Sequence, residues 1–451
     1  MNAHTGQHAI GWLTGIGATL LFAAGCAEET DQTPPDSPTT TSSSTGGVET
    51  QPRVRFEIAS TGLPESGMWK CDPVLVDING DGALDLAAIP RLGDGPKVWL
   101  NDGNGGWTPS HDGLDPGDTS CGGGVGFGDF NEDGHLDLAA GDHCHGIFVY
   151  LGDGAGKWTM VVEAMYPEDL VVNPGKVNQY VGAEDIAVGD VDGDGHLDLV
   201  TGGSDESGIN VYLGDGTGRT FTRQRNTIPT TGWANRVVLE DVTGDGHLDL
   251  IASYAEGPRV WHNDGSGKWT LASVGLPSPM MLGLYTGVGV GDVNGDERPD
   301  IALANWVDGP EVYLQQEDGS WQKSPDIFPE MLGGAMGLAL GDVNRDGNLD
   351  IVTAGRLAPE GGYVRGVFCL LGDGAGGWTW EENSELPSTG LSATAGVTIG
   401  DVNGDGVNDV VAASGLLVET VPGRTEPILP HRVLVWRSQV THTDAAAHAG
   451  N

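Results

Sequence analysis

The stretch "DVDGDGHLDL", Asp190–Leu199, places carboxylates at its first, third, fifth and ninth positions, with glycines between them. Calcium takes six to eight oxygen ligands at about 2.3–2.6 Å. The four aspartates can each supply a carboxylate oxygen, and the backbone carbonyl of His196 can supply another. Gly195 permits the sharp turn that brings this carbonyl toward the carboxylates. The spacing therefore predicts a binding site for a hard cation.

The same nine-residue motif occurs seven times, and successive copies start 50 to 61 residues apart. A repeat of this length, covering nearly the whole chain after residue 52, indicates an array of one structural unit. The copies are "DINGDGALD" from Asp77, "DFNEDGHLD" from Asp129, "DVDGDGHLD" from Asp190, "DVTGDGHLD" from Asp241, "DVNGDERPD" from Asp292, "DVNRDGNLD" from Asp342 and "DVNGDGVND" from Asp401.

An EF-hand begins with the same spacing but needs a bidentate glutamate at position twelve. No copy has an acid at that position, and short apolar runs typical of strands flank the motif where an EF-hand has helices. The EF-hand is therefore excluded. The residues at position twelve are Ala88, Ala140, Thr201, Ala252, Leu303, Thr353 and Ala412.

The elements that must position the motifs are short strands. Runs such as "LDLAA" and "LDLVTGG" follow the motif and are bounded by glycine, which is typical of buried strands. A second marker such as "VYLGDGAGKW" (Val149–Trp158) comes 20 to 40 residues after the motif and predicts a third strand, a glycine turn and a fourth strand. Seven repeats of four antiparallel strands predict an all-β, seven-bladed β-propeller.

The two ends of the chain predict how the ring closes. The seventh repeat has its third strand at Arg432–Trp436 but no fourth strand after it. Upstream of the first motif, "FEIASTGLP" (Phe56–Pro64) aligns with "WTLASVGLP" (Trp269–Pro277), the fourth-strand segment of the fourth repeat. We therefore expect the N-terminal strand to complete the last blade and to remove an exposed sheet edge.

These "GDVNGDGxxDL" repeats resemble the FG-GAP or VCBS family, the calcium-binding blades of integrin α-subunit propellers and of many bacterial surface proteins. The resemblance covers about 380 of the 451 residues. It implies up to seven structural calcium ions, each in the hairpin between the first and second strands of a blade. Position seven would ligate through its backbone carbonyl. The implied ligands are Asp77, Asn79, Asp81, Ala83 and Asp85; Asp129, Asn131, Asp133, His135 and Asp137; Asp190, Asp192, Asp194, His196 and Asp198; Asp241, Thr243, Asp245, His247 and Asp249; Asp292, Asn294, Asp296, Arg298 and Asp300; Asp342, Asn344, Asp346, Asn348 and Asp350; and Asp401, Asn403, Asp405, Val407 and Asp409.

Two copies depart from the family pattern. Thr243 in the fourth motif is a weaker ligand than Asp or Asn. In the fifth motif, Glu297 stands where glycine would take positive φ, and Pro299 follows soon after. We expect the weakest binding at these two sites, with Glu297 partly compensating as an additional carboxylate in the fifth.

The net charge of −43 excludes the nucleic-acid-binding class, which needs a basic surface, and electrostatic binding to anionic lipid. The seven motifs contain 24 of the carboxylates. Seven calcium ions would offset 14 of the 43 negative charges. Without metal, the clustered carboxylates should repel one another and loosen the hairpins.

The N-terminus has the features of an export signal. Ile10–Ala24 is an apolar run too short to span a bilayer well, and it leads into "FAAGC", which resembles the lipobox of bacterial lipoproteins. That resemblance implies residues 1–26 as a signal peptide and Cys26 as a lipidated N-terminus. The alternative is an ordinary secretory signal cut near Ala24. Either way we expect export, to the bacterial cell envelope if the lipid anchor is present.

The remaining boundaries follow from composition. Residues 27–52 are rich in Pro, Ser and Thr and predict a disordered linker. The propeller is expected over residues 53–437 and a disordered tail over 438–451. The only membrane contact expected is through the anchor, and the chain is expected to be a monomer.

The cysteines of the second repeat predict a disulfide. Cys121 and Cys144 lie twelve and eleven residues either side of Asp133, so an antiparallel hairpin centred there brings them nearly opposite one another. Export permits their oxidation. Cys71 is a competing partner, and a transition-metal site in "GDHCHG" (Gly141–Gly146) is an alternative.

Loops that follow each second strand vary more than the motifs and should lie on the other face of the ring. Binding residues are often found on such loops. The chain shows no serine, cysteine or zinc-hydrolase motif, which makes an enzyme the less favoured class. We expect a binding or adhesion module for a protein or glycan; a polysaccharide lyase and a purely structural envelope protein are the alternatives. The loop residues suited to contacting a ligand are Arg91, Tyr254, Trp306, Arg356 and Tyr363.

Overall fold

A computed structural model gives the fold of the repeat region. The residues it describes are 52–65, 67–69, 72–91, 95–115, 121–165, 182–203, 207–230, 232–254, 257–277, 285–325, 332–357, 364–388, 391, 394–414 and 433–441. The signal, its Cys26, the linker up to residue 51 and Tyr363 lie outside these residues. No helix in this part of the chain is long and apolar enough to cross a membrane.

The described residues form 28 strands in seven four-stranded antiparallel sheets, which confirms the predicted seven-bladed propeller. The first strand, β1, precedes the first motif. Each later strand follows in chain order, and blades 1 to 6 each take four successive strands. The strands of β1 and blades 1 to 3 are β1 (Arg53–Ile58); β2 (Val74–Val76), β3 (Asp85–Ala88), β4 (Lys97–Asn101) and β5 (Trp107–Pro109); β6 (Val125–Gly128), β7 (Asp137–Asp142), β8 (Gly146–Gly152) and β9 (Trp158–Met165); and β10 (Ala183–Gly189), β11 (Asp198–Gly203), β12 (Ile209–Gly214) and β13 (Phe221–Arg223).

Blades 4 to 6 repeat the pattern, and blade 7 takes only three strands from the C-terminal part of the chain. The remaining strands are β14 (Ala234–Glu240), β15 (Asp249–Tyr254), β16 (Gly257–Asn263) and β17 (Trp269–Leu271); β18 (Tyr285–Gly291), β19 (Asp300–Asn305), β20 (Gly309–Gln315) and β21 (Trp321–Lys323); β22 (Leu332–Gly341), β23 (Asp350–Leu357), β24 (Val364–Gly372) and β25 (Trp378–Trp380); and β26 (Thr394–Gly400), β27 (Asp409–Ser414) and β28 (Val433–Thr441).

The N-terminal strand closes the ring, as predicted. β1 pairs antiparallel with β28 from Arg53 opposite Thr441 to Ile58 opposite Trp436, and so becomes the outer strand of blade 7. The first strands of successive blades contact one another in cyclic order, including β26 of blade 7 with β2 of blade 1. β28 ends at Thr441, so the predicted end of the propeller at residue 437 is four residues too early.

The core lies between neighbouring blades. Second and third strands are almost wholly buried, and apolar side chains of adjacent sheets pack together, for example Leu86 and Trp99 of blade 1 with Leu138 of blade 2. The tryptophan of the second marker also joins blades: Trp158 Nε1 donates to the carbonyl of Ser110 in blade 1 at 2.9 Å. Trp321 makes the equivalent bond to Ala272 at 3.0 Å.

All blades share one strand order, so the hairpins between first and second strands lie together. We call this side of the ring the hairpin face. The loops between second and third strands lie on the other side, which we call the opposite face.

Candidate metal centres

Each of the seven motifs forms the hairpin between the first and second strands of its blade. Glycines let the chain turn there: in the third hairpin Gly193 and Gly195 have φ of 75° and 93°, a region that side chains rarely adopt. This repeated backbone aims the side chains of positions one, three and five into the concave side of the loop.

The first aspartate organises the loop. In the first hairpin, Asp77 Oδ1 accepts the backbone N–H groups of Gly80 and Asp81 at 2.8 and 3.0 Å, and its Oδ2 accepts that of Gly82 at 2.9 Å. The aspartates at position one of the other six hairpins accept backbone N–H groups in the same way. The carboxylate is therefore fixed by the backbone, which fixes the loop in turn.

Positions three and five lie side by side. Asn79 Oδ1 accepts the N–H of Asp81 at 3.0 Å, and its Nδ2 donates to Asp81 Oδ2 at 2.9 Å. Asp81 Oδ1 accepts the N–H of Ala83 at 2.9 Å, which orients position seven. The same pairing of an asparagine with the aspartate two residues later occurs in the second, fifth, sixth and seventh hairpins.

The third hairpin provides the test of fit for a cation. One carboxylate oxygen from each of Asp190, Asp192 and Asp194 lies within 4.8 Å of the others. Burial, and then the negative charges of Asp194 and Asp190, raise the pKa of Asp192. Converging carboxylate oxygens are the type of ligand that calcium prefers, so these three can supply part of its six to eight ligands and the residues fit this ion. Asp190, Asp192, Asp194 and the carbonyl of His196 would hold it.

The aspartate at position nine has a role that sequence analysis did not predict. Asp85 is fully buried; its Oδ2 accepts the N–H of Ile78 at 3.0 Å and its Oδ1 that of Asn101, at the end of the third strand, at 2.8 Å. This carboxylate therefore ties the loop to two strands of its blade. Asp137, Asp198, Asp249, Asp300, Asp350 and Asp409 make the same two bonds and are also fully buried.

Burial raises the pKa of all seven position-nine aspartates. The pKa rises to about 7 for Asp350 and to about 6 for Asp198 and Asp300, while the two backbone N–H groups partly oppose the shift. Each oxygen keeps a second lone pair, so the metal-ligand role of position nine stays a prediction. The periodic aspartate alone could not reveal the anchoring role, because its N–H partner in the third strand is 14 to 29 residues away.

In the second, third, fourth and sixth hairpins, the side chain at position seven covers the turn between the third and fourth strands. A Cβ placed on Gly154 would come within 2.3 Å of His135 Nδ1, and one on Gly216 within 2.5 Å of His196 Nδ1. His196 Nδ1 also lies 2.5 Å from Oε1 of Glu132 in the second hairpin. This bond raises the pKa of His196 and links two neighbouring hairpins.

Neighbouring blades also hold the hairpins in place. Asn263, the last residue of β16, donates from Nδ2 to the carbonyl of Val191 in the third hairpin at 2.7 Å. Gln315 makes the equivalent bond to Val242, and Asn101 to Val402 across the ring closure. In these three hairpins the position-two carbonyl is thus bonded to the following blade.

The fourth and fifth hairpins differ from the rest at the predicted positions. Thr243 replaces an amide or acid, and its hydroxyl lies 3.3 Å from Asp241 Oδ1. In the fifth hairpin, Glu297 takes φ of 66° and Arg298 pairs with Asp296. Arg298 is the only arginine found at position seven of the seven motifs.

On the opposite face, the structure uses two of the predicted ligand-contacting residues for packing. Tyr254 is 5 % exposed and its ring packs against Trp261. Arg356 donates to the carbonyls of Gly333 and Trp306, both at 2.8 Å. Trp306 and Arg91 are half-buried, and their contact with a ligand stays a prediction.

The disulfide joins Cys121 to Cys144, with the two Cα atoms 5.7 Å apart. Beside it, the buried Asp142 accepts the N–H groups of Cys121 and Cys144 at 2.9 and 2.8 Å, and lies 3.0 Å from His145 Nδ1. Sulfurs bonded to each other are not thiolates, so the alternative of a transition-metal site does not fit this form of the chain.

Polar residues at the start of the first strands link blades on the opposite face. Arg236 of blade 4 pairs with Asp72 of blade 1, and Asp185 of blade 3 accepts the N–H of Val237 at 3.0 Å. Burial raises the pKa of Asp185 to about 6, although the charge of Arg236 opposes the shift. The sequence carried no signal for these contacts, because they join residues up to 164 positions apart.

The chain belongs to the family of FG-GAP-like repeat proteins. The family model matches residues 77–140, 129–201, 190–252, 241–303 and 292–353, which together cover more than half of the chain. No curated protein sequence matches this chain. The match confirms the resemblance that the repeated motifs indicated.

Solved structures are similar at low identity. An Agrocybe aegerita lectin that recognises non-reducing terminal N-acetylglucosamine is 19 % identical, with a TM-score of 0.46, covering 71 % of this chain and 84 % of the lectin. BBS1N, solved in complex with ARL6DN, is 13 % identical with a TM-score of 0.49, covering 85 % and 97 %. The V. cholerae biofilm matrix protein Bap1 is 12 % identical with a TM-score of 0.43, covering 85 % and 91 %. Similarity at this level does not indicate what this chain binds.

Proposed function

We propose that this protein is an exported β-propeller, stabilised by calcium on its hairpin face, that acts as a cell-surface binding or adhesion module for a protein or glycan. The observation that carries the proposal is the contrast between the faces. One repeats the same carboxylate-bearing hairpin seven times, whereas the loops of the other differ from blade to blade. A rigid scaffold with variable loops is a common arrangement for binding.

The proposed calcium role is structural. Asp190, Asp192 and Asp194 bring three negative charges together at an exposed turn, and a divalent cation would offset their repulsion. A bound ion adds about 1.4 kcal/mol to stability when its concentration is ten times the dissociation constant. We therefore expect several such sites to make the melting temperature strongly dependent on calcium.

A lyase is less well supported than a binding module. Such an enzyme needs an accessible base, and tyrosine is one candidate. Tyr285 and Tyr313 come together in blade 5, but both hydroxyls donate to the buried Glu311, at 3.1 and 2.9 Å. Burial and the charge of Glu311 raise both pKa values, so both hydroxyls keep their protons and neither is available as a base.

The test is a glycan-binding screen on residues 53–451, run with and without calcium, beside an assay for double-bond formation on uronate polymers. We expect saturable binding to a glycan or to a protein of the cell surface and no eliminative cleavage. Cleavage would contradict the binding-module proposal in favour of a lyase. If neither assay detects binding or cleavage, and a surface-protein pull-down recovers no partner, a purely structural envelope protein would be favoured.

The proposed envelope location has a separate test. Cys26→Ala would abolish incorporation of a labelled fatty acid and release the chain from the membrane fraction if Cys26 is the lipid anchor. An unchanged distribution would favour the ordinary secretory signal.

A further inference from the structure

The fifth hairpin carries an arginine at position seven, where the others have alanine, histidine, asparagine or valine. The guanidinium of Arg298 donates to Oδ2 of Asp296, and its Nε donates to the carbonyl of Gln315 at 3.1 Å. Nδ2 of Asn294 donates to the same Asp296 oxygen at 3.1 Å. Oδ2 of the carboxylate that the motif assigns to a metal ion therefore already accepts two hydrogen bonds, one of them from a positive charge.

The turn between the third and fourth strands of a blade is here called its outer turn. In blade 5 this turn differs from those of blades 2 and 3, as does the residue at position seven. In blade 2, the ring of His135 packs over Gly154, and in blade 3 that of His196 packs over Gly216. At the equivalent place blade 5 has Glu317, and its turn is closed by bonds from Gln316 to Ser320 and from Gly319 to Gln316. The position-seven side chain cannot lie over a glycine here, and it turns instead toward Gln315 and Asp296.

The backbone of the hairpin is nevertheless the same as in the others. Glu297 takes φ of 66°, where the six other hairpins have glycines with φ between 81° and 93°. Its N–H still donates to Asp292 Oδ2 at 2.8 Å, as Gly195 does to Asp190 at 2.9 Å. The loop therefore keeps its shape at an unfavourable residue, and the Arg298–Asp296 pair is a contact that the other hairpins lack.

From these contacts we infer that Arg298 takes the place of the calcium ion in the fifth hairpin, so that this hairpin binds no metal in the native chain. The inference rests on the proposed calcium role of the other hairpins. It differs from the expectation drawn from sequence, which was weakened binding caused by Glu297 and Pro299. A guanidinium bonded to the Asp296 oxygen repels an incoming cation. It also takes up a lone pair that the oxygen would otherwise offer to the metal.

The test is to count bound calcium by equilibrium dialysis and native mass spectrometry in the wild-type chain, Asp194→Asn and Asp296→Asn. Asp194 and Asp296 occupy the same position of the third and fifth hairpins, so they form a matched pair. We expect Asp194→Asn to bind one ion fewer than wild type and Asp296→Asn to bind the same number. Loss of one ion from Asp296→Asn would overturn the inference.

A gain-of-binding variant provides the second arm. Arg298→His introduces the residue found at position seven of three other hairpins, and should add one ion; Arg298→His combined with Asp296→Asn should lose it again. Arg298→Lys, which keeps a positive charge, should bind as wild type does. An unchanged ion count in Arg298→His would contradict the inference, whereas a wild-type chain that binds no calcium, with Asp194→Asn also unchanged, would contradict the proposed function instead.

Discussion

The third and fifth hairpins have the same backbone but different charges at the place where a cation would bind. In the third, oxygens of Asp190, Asp192 and Asp194 converge within 4.8 Å. In the fifth, Asn294 replaces one carboxylate and Arg298 pairs with another. The backbone follows from the shared spacing of aspartates and turn residues, whereas the charge balance depends on residues outside that spacing. The spacing of a repeat motif therefore predicts the backbone conformation of a hairpin better than it predicts whether the hairpin binds a metal ion.

The largest effect should come from position nine, where the two hairpins are alike. Asp198→Asn and Asp300→Asn each turn an amide N–H₂ toward a buried backbone N–H that the carboxylate now accepts. Leaving a buried donor unsatisfied costs about 1–3 kcal/mol. We expect a loss of about 2–3 kcal/mol in the free energy of unfolding from either variant, with and without calcium.

Chemical denaturation in calcium and in chelator measures this directly. The exposed Asp153→Asn, on the outer turn of blade 2, is a control that leaves these buried bonds intact. If Asp198→Asn were destabilising only in calcium, position nine would be a metal ligand first and an anchor second, and the anchoring role would be wrong.

The next largest effect should be on how the stability of the fold depends on pH. The sign of this dependence should differ between metal-free and calcium-loaded protein. Because folding raises the pKa of the buried aspartates, to about 6 for Asp198 and Asp300, the folded chain binds more protons than the unfolded chain between about pH 4 and 7. Their contribution to stability is fully present below the unfolded pKa and is lost as the pH rises through 6 to 7. The exposed turn aspartates, such as Asp153, have lowered pKa values and act in the opposite direction.

We therefore expect metal-free protein to melt at a higher temperature near pH 5 than near pH 7.5. In saturating calcium the order should reverse, because calcium binds deprotonated carboxylates and competes with protons. Melting curves of dialysed and calcium-loaded protein across this range test both slopes. A metal-free melting temperature that rises steadily with pH would show that the buried aspartates do not control the balance.

A smaller effect should come from exchanging position three between the third and fourth hairpins. Thr243→Asp makes the fourth motif identical to the third, and Asp192→Thr does the converse. We expect Thr243→Asp to raise the calcium affinity of its hairpin about tenfold, worth about 1.4 kcal/mol, and Asp192→Thr to lower affinity by a similar factor. Calorimetric titration measures the change, and Thr243→Ser, which keeps a hydroxyl, is the control. Equal affinities in all three variants would mean that position three is not a ligand.

Much of the fold could be predicted from sequence, because each blade repeats its own local signals. The motif spacing, the glycine turns and the alignment of Phe56–Pro64 with Trp269–Pro277 were enough to predict seven blades and the closing strand. The disulfide partners also followed from the symmetry of a hairpin around Asp133. These signals are local or repeated, so one sequence is sufficient to recognise them.

The contacts that sequence analysis missed depend on how strands and turns pack, both within a blade and between blades. Arg298 has no periodic partner, and its bond to Gln315 depends on how the outer turn of blade 5 folds. Tyr254 was expected to contact a ligand, but its ring packs against Trp261, because it ends a second strand that is buried along its whole length. The pair of Arg236 with Asp72 forms only when blade 4 and blade 1 belong to one closed ring.

The smallest effect should come from the bond between His196 and Glu132, which joins the third hairpin to the second and has no equivalent in the fifth. The side chains of His196 and Glu132 are 36 % and 55 % exposed, and ion pairs open to solvent contribute little to stability. His196→Ala should therefore lower the melting temperature slightly at pH 6, where the raised pKa keeps the imidazole charged, and not at pH 8. The difference should disappear in about 1 M salt, where the Debye length is about 3 Å. His247→Ala, at the same position of the fourth hairpin, is the matched control. A loss that persists at pH 8 and in high salt would show that the ring acts by packing over Gly216 rather than by charge.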